Sequence, residues 1–295
     1  MMADALLTSE PMTDDERKQL TRLAEDAMAR ALIVINPNHE TAQRVQTHGS
    51  EIENAIIDKV RELSTREEFS EEEVASSYEY VSGYRRPKSI PEQVTLLRRV
   101  FPDIGFANET LEQQPLPGHA EGWFAIPRWE AVAPTYSEAV EKILAALAER
   151  CGGNCINYRE GKLGDSYFRQ TDAARAAFQK LVDTQKECDI LVVAAQFGIL
   201  HRGRSVRRAR AMMHFNEFGL GAFAVGIMLL THPERLQHYD DLWIDCAGDE
   251  YSPDGDGRFE NSPYFGFYGG WLEFQTGRFE DANDLYGSAS GFLPR

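Results

Sequence analysis

The sequence of 295 residues has few cysteines and lacks both a secretory signal and a long apolar run. Four cysteines are too few for a disulfide scaffold, and the Cys151/Cys155 pair has no second pair of ligands with which to form a zinc site. The longest strongly apolar run, 218–230, has 13 residues, short of the ~20 that a membrane-spanning helix needs. The N-terminus has no basic start and no small-residue cleavage pattern. We therefore expect a soluble cytoplasmic protein that does not bind a membrane.

Basic residues are scarce as well. The 31 Lys and Arg residues stand against 47 Asp and Glu, which gives a formal net charge of −16. This imbalance argues against direct binding to a nucleic-acid backbone, because such binding depends on clustered cations. An acidic surface can instead bind a basic protein partner, as a protein that imitates nucleic acid would.

Helix signals dominate the first hundred residues. A helix is expected from about Thr13, and a Ser followed three positions later by Glu is typical of a helix start. After the first such pair, apolar residues recur at helical spacing through Leu63. The sequence therefore predicts a flexible N-terminus over 1–12 and a helical region over 13–101. The three pairs are Ser50/Glu53, Ser70/Glu73 and Ser89/Glu92.

The remainder of the chain has signals for both helices and strands. Residues 102–121 contain three prolines, two glycines and no periodic pattern. They are therefore predicted to be a linker or long loop between the helical region over 13–101 and an α+β domain over 122–295. The alternative is a single continuous domain. The α+β domain is expected to hold a mixed sheet packed around a long buried helix over 206–230. Its predicted strands are an edge strand at 122–129, two buried strands at 189–195 and 242–248, and a hairpin around Gly269-Gly270. A helix connects the two buried strands, which allows them to be parallel neighbours.

The stretch "HRGRSVRRARAMM" at 201–213 places five arginines within nine residues of this acidic chain. On a helix that begins at Ser205, several of these arginines surround the free backbone N–H groups of the helix start, where an anion is favoured. Arg207, Arg210, His214 and Glu217 would then follow one stripe, with His214 or Glu217 available to transfer protons. The candidate anion-binding residues are Arg204, Arg207, Arg208 and Arg210.

A structural role for these arginines is the competing hypothesis, and the one we expect. Residues 240–260 contain eight carboxylates against Arg258 alone, so the two oppositely charged segments would neutralise one another. Within this acidic segment, three residues lie at the end of a predicted buried strand: Asp245, Asp249 and Glu250. Carboxylates at such a position can bind Mg²⁺ or Ca²⁺, or act as a general base. These three residues are the candidate metal ligands.

Two segments of the last third of the chain, "GRSVRRARAMMHFNEFGLGAFAVGIMLLTHPERL" and "DLWIDCAGDEYSPDGDGRFE", resemble proteins of bacterial genomes and mobile elements that have no assigned activity. The resemblance implies a bacterial or mobile-element setting. It transfers no catalytic residue.

Two functions are consistent with the sequence. The first is a non-enzymatic binding or regulatory protein whose acidic surface acts on a macromolecular partner, with counter-defence or nucleic-acid mimicry as the extreme form. The second is an enzyme or sensor for a phosphorylated small molecule, with an optional divalent metal. The second function requires the helix start at Ser205 and the end of the 242–248 strand to border one cleft. No catalytic motif separates the two hypotheses.

Overall fold

The computed structural model of the protein describes residues 12–294. Internal contacts divide the chain into two compact units, Met1–Ile56 and Ile57–Arg295. The division falls at 56/57, whereas the sequence suggested a boundary within 102–121. The predicted flexible segment 1–12 lies outside the described residues except for Met12.

Helices make up the described part of the first unit. Thr13 begins the first of them with a capping box, because its hydroxyl accepts from the Glu16 N–H at 3.3 Å and the Glu16 carboxylate accepts from the Thr13 N–H at 2.8 Å. This confirms the predicted helix from Thr13. The helix ends at Asn36, whose left-handed φ of 45° stops it. The helices are α1 (Asp14–Ile35), α2 (His39–Thr47) and α3 (Gly49–Thr65), the last of which continues into the second unit.

The second unit combines helices with two sheets, which confirms the predicted α+β class. Its further helices are α4 (Ile90–Val100), α5 (Tyr136–Arg150), α6 (Asp172–Thr184), α7 (Val206–Met212) and α8 (Ala222–Thr231). Its strands are β1 (Gly122–Pro127), β2 (Cys155–Asn157), β3 (Phe168–Gln170), β4 (Ile190–Gln196), β5 (Glu217–Gly219), β6 (Trp243–Asp245), β7 (Asp249–Tyr251), β8 (Asn261–Tyr268), β9 (Trp271–Arg278), β10 (Tyr286–Ser288) and β11 (Ser290–Phe292).

The smaller sheet has the order β1-β4-β11-β5, and all of its neighbouring strands are antiparallel. Strand β1 lies at the edge, as predicted, because Pro127 has no N–H for a second neighbour. The predicted strand at 189–195 is β4, which is buried along its whole length. The strand predicted at 242–248 contributes β6 to the other sheet, so the prediction of parallel neighbours is wrong.

The larger sheet is mixed. Its strands follow the order β10-β6-β8-β7-β3, and β9 pairs with both β8 and β2. The β10/β6 and β2/β9 pairs are parallel, and the others are antiparallel. The predicted hairpin joins β8 to β9, and Gly269 and Gly270 supply the two positive φ angles that its two-residue turn requires.

Helix α8 is buried along all ten of its residues and packs against α4, α5 and β1. The single long helix predicted over 206–230 is wrong, because the chain leaves the helical conformation after Met212 and forms β5 before α8 begins. Two features favour this break in the helix. Strand β5 forms backbone hydrogen bonds with β11, and the glycines at 219 and 221 have a low helix propensity. A buried helix at the centre is therefore present, but it is short.

Gly219 lets two backbone segments approach closely. A Cβ atom built on it would lie 2.6 Å from both the carbonyl carbon and the oxygen of Ala247. We expect Gly219→Ala to lower the free energy of unfolding by about 1–3 kcal/mol, because the neighbouring backbone must shift. Gly164→Ala is the matched control, since open space surrounds Gly164. Urea denaturation of both variants tests this, and equal stabilities would contradict it.

The helical region predicted over 13–101 is interrupted. Residues 66–89 contain no helix, and the Ser70/Glu73 pair does not begin one, whereas Ser89 and Glu92 form a capping box on α4. Residues 102–121 form a long loop with one 3-10 turn, Glu109–Gln113, and Ile104 and Ala107 anchor it in the core. Among the described helices, none has the length and apolar composition needed to cross a bilayer.

Candidate functional site

Arg207 is held by a buried carboxylate. Ser205 caps α7 by accepting from the Arg208 N–H, and its hydroxyl donates to Glu72 at 2.6 Å. The Arg207 guanidinium donates twice to the Glu72 carboxylate, and it lies 4.2 Å from the centre of the Phe69 ring. Burial alone would raise the pKa of Glu72, but the hydrogen bonds from Arg207 and Ser205 outweigh it and lower the pKa below its ordinary value.

The other three candidate arginines also have partners. Arg208 is buried; it pairs with Glu73 at 3.2 Å and donates to the carbonyls of residues 65 and 68. Arg204 also pairs with Glu73 at 3.2 Å. Arg210 donates to the carbonyls of residues 247 and 249, both at 2.9 Å. Three of the four arginines therefore pair with Glu72 and Glu73 rather than with the 240–260 carboxylates. Arg210 is the exception, because its guanidinium lies 3.8 Å from the Glu250 carboxylate.

Glu217 belongs to a buried network that the sequence did not predict. It accepts from His201 Nε2 at 2.7 Å and from the Ser290 hydroxyl. Arg204 can only donate, so its contact with His201 Nδ1 at 3.1 Å leaves Nε2 to carry the proton that Glu217 accepts. Burial would raise the pKa of Glu217, but the bond from His201 and the others lower it overall. Every polar side chain in this network faces another protein group, which indicates a structural role.

His214 is separated from the arginines. Its Nδ1 lies 3.3 Å from Asp58, and its ring stacks on His119 with 4.7 Å between centroids. Only its backbone N–H reaches Glu217, at 3.0 Å. The predicted stripe of Arg207, Arg210, His214 and Glu217 does not form, because α7 ends at Met212.

The three candidate metal ligands do not converge. Asp249 accepts from the Tyr136 hydroxyl at 2.9 Å and from the Ala222 N–H at the start of α8. Glu250 is half-buried; it pairs with Arg169 at 2.9 Å and lies 3.8 Å from Arg210. Within 12–294, no group of three or more His, Cys, Asp or Glu side chains is arranged to hold a metal ion such as Mg²⁺ or Ca²⁺.

Asp245 differs from the other candidates because it faces a cleft. It ends β6, opposite Tyr264 on β8 and Ser288 on β10. The cleft has a volume of about 180 Å³ and lies between the larger sheet, the start of α7 and the chain after β9. Its lining residues are Val206, Asp245, Ser262, Tyr264, Thr276, Gly277, Arg278, Asp281, Asn283 and Tyr286.

Asp245 is 8% exposed, its carboxyl oxygens keep some surface open to the cleft, and none of the described residues donates a hydrogen bond to that carboxyl. Burial raises its pKa to about 7, and the positive charge of Arg210 offsets only part of this effect. The Thr276 hydroxyl in the same cleft is likewise buried without a partner. Tyr264 and Tyr286 meet edge to face, with 5.0 Å between their centroids, and burial raises the pKa of both phenols. The cleft is therefore lined by an acid to which the described residues donate no hydrogen bond, beside a buried hydroxyl without a partner.

Sequence reasoning found Asp245 from its position at the end of a buried strand, but it missed the other polar residues of the cleft. Tyr264 and Thr276 belong to the aromatic hairpin, whose pattern predicted strands and nothing about a ligand. Tyr286 comes to Asp245 through the parallel β10/β6 pair, which no local signal predicts.

Val206 and Asp245 line the same cleft, so the start of α7 and the end of the β6 strand do border one space. A carboxyl with a pKa of about 7 can bind a cation when it is ionised, or donate a hydrogen bond when it is protonated. Comparison of the chain with protein-family models, with curated proteins and with solved structures finds no match.

Proposed function

We propose that this chain is a cytoplasmic binding or regulatory protein for a basic protein partner, and that the Asp245 cleft receives a lysine or arginine side chain of that partner. The observation that carries the proposal is the Asp245 carboxyl, which lies on the wall of the cleft at a residue that is 8% exposed and has no hydrogen-bond donor among the described residues. A cationic side chain in the cleft supplies both the charge and the donors that this carboxyl lacks.

The surroundings of the cleft support a cationic occupant. Tyr264 and Tyr286 provide aromatic rings, and ring faces attract cations. Arg278 would repel a cation, but Glu280 is paired with it. The net charge of −16 steers basic partners toward the protein from a distance. An acidic surface that competes with nucleic acid for a basic protein is the extreme form of this function.

The cytoplasmic setting rests on the cysteines. Cys151, Cys155, Cys188 and Cys246 are all unpaired, as expected where cellular reductants keep thiols reduced. Burial raises the pKa of Cys155 to about 11, so its thiolate is scarce at neutral pH.

Binding of a short oligolysine peptide tests the proposal. We expect Asp245→Asn to weaken binding about 10-fold or more, because a charge-assisted hydrogen bond is lost. The matched control is Asp240→Asn, which makes the same charge change at an exposed residue and should change affinity far less. Because Asp245 must be ionised to pair, affinity should rise from about pH 6 to about pH 8. Calorimetric titration measures each quantity.

Equal losses in the two variants would contradict the proposal, since they would show attraction by the acidic surface as a whole. An affinity that does not change with pH for the wild type would exclude Asp245 as the binding group.

The alternative function, an enzyme or sensor for a phosphorylated small molecule, has one observation in its favour. The start of α7 and Asp245 border one cleft, as that function requires. It also requires the guanidinium groups to exchange Glu72 and Glu73 for a phosphate. The stability of an Arg207 variant with and without phosphate distinguishes the two functions.

A further inference from the structure

A second cavity lies on another part of the same unit. It has a volume of about 170 Å³ and is bounded by one side of α6, the chain that follows β1, and the starts of α5 and α8. It shares no lining residue with the Asp245 cleft. Its lining residues are Pro127, Arg128, Trp129, Glu130, Tyr136, Gln170, Arg175, Phe178, Gln179, Val182, Leu191, Phe223 and Ala224.

Aromatic side chains form much of the wall. Trp129 meets Tyr136 edge to face at 6.2 Å between centroids, and Tyr136 lies 6.4 Å from Phe223. Phe178 and Val182, which are four residues apart on α6, are only partly buried and line the cavity from the opposite side. A flat ring or a branched aliphatic group bound here would cover apolar surface that the chain leaves open.

One unpaired cation lies in this wall. The Nε atom of Arg128 is buried without a hydrogen-bond acceptor, and within the described chain no carboxylate lies within ion-pair distance of its guanidinium. Arg175, the other arginine of the wall, is already paired with Asp172 at 2.5 Å. Because Arg128 lines the cavity and its guanidinium has no carboxylate partner, an anion bound in the cavity would supply the missing counter-charge.

We propose that this cavity binds a small carboxylic acid with an aromatic or branched aliphatic body, with the carboxylate paired to Arg128. A planar carboxylate matches the donor geometry of a guanidinium, and the aromatic wall holds the apolar body. Glu130 is the one acidic residue of the lining; its side chain is exposed, and it would repel a carboxylate only from the solvent side. The cavity thus combines an apolar chamber with one anion-binding group.

Three compounds with the same ring and chain length test this: 3-phenylpropionate, 3-phenylpropan-1-ol and 3-phenylpropylamine. We expect the wild-type protein to bind the carboxylate about 10-fold or more tightly than the alcohol, and the amine most weakly. Titration followed by calorimetry or by chemical shifts measures the three affinities without any substitution. Equal affinity for carboxylate and alcohol, tighter binding of the amine, or no binding of any compound would overturn the proposal.

Two variants assign the binding to Arg128. Arg128→Gln should abolish the preference for the carboxylate over the alcohol and leave the affinity for the alcohol unchanged. Arg175→Gln is the matched control; it removes an exposed arginine of the same wall and should retain the preference. A preference that is kept in Arg128→Gln and lost in Arg175→Gln would contradict the assignment to Arg128. If Arg128→Gln does not fold, Phe178→Ala is the second test, and it should lower the affinity of the protein for all three compounds.

Discussion

Replacing Arg207 with glutamine is expected to lower the free energy of unfolding by about 1–3 kcal/mol, because it leaves the largely buried Glu72 carboxylate without its cation. The Glu72 side chain is 9% exposed, and after the substitution only the Ser205 hydroxyl would still donate to it. Urea denaturation measures the loss. Arg175→Gln is the control, since the Arg175–Asp172 pair is exposed and contributes little.

A double-mutant cycle makes the prediction sharper. Glu72→Gln in the Arg207→Gln background removes the buried charge, so it should restore much of the stability. The phosphate-ligand hypothesis predicts the opposite pattern. Under it, Arg207→Gln is as stable as the wild type, and phosphate or sulfate raises the melting temperature of the wild type alone. A variant as stable as the wild type would therefore overturn the structural role of Arg207.

The predictions that succeeded concern interactions between residues that are close together in the sequence. The sequence predicts the hairpin at Gly269-Gly270, the helix start at Ser89 and Glu92 on α4, and the edge strand that contains Pro127. Each depends on a backbone preference or a side-chain bond within a few residues, which the sequence displays directly.

Predictions that depended on distant residues were the ones that failed. The partners of Arg207 and Arg208, Glu72 and Glu73, are 135 residues away. Glu73 follows Ser70 at the spacing of a capping box, yet it pairs with two arginines instead. Similarly, β5 interrupts the predicted long helix because β11, near the end of the chain, offers it hydrogen bonds. Local propensity cannot indicate which of two possible partners a segment will meet.

In the candidate cleft, too, the sequence predicts a residue from its local position and misses the residues that come from distant parts of the chain. The sequence predicts Asp245 because a carboxylate at the end of a buried strand can be held rigidly as a metal ligand or general base. The tyrosines around it were not, because an aromatic residue in a strand is most often part of a core. Their role depends on the order of strands β10, β6 and β8 in the sheet.

Asp245→Asn is expected to make stability less dependent on pH. The folded pKa of Asp245 is about 7, and so is that of Asp249, where burial outweighs the bonds from Ala222 and Tyr136. An unfolded aspartate has a pKa near ~3.9. Between these values the folded state binds more protons than the unfolded state, so stability falls as pH rises from ~4 through ~7. Each group can cost up to about 4 kcal/mol above that range.

Asparagine at 245 removes one of these two costs. The variant should therefore gain stability relative to the wild type as pH rises from about 5 to about 8, by up to about 2.6 kcal/mol, while Asp240→Asn at an exposed site should follow the wild type. Urea denaturation at the two pH values measures the difference, and parallel losses in all three proteins would show that Asp245 is already ionised at pH 5. The desolvation of the ionised Asp245 carboxylate also affects binding of the proposed partner. A cation bound at Asp245 offsets this desolvation, so oligolysine should stabilise the wild type more at pH 8 than at pH 5. In the asparagine variant this pH-dependent stabilisation should disappear, because no ionisable group then remains at 245.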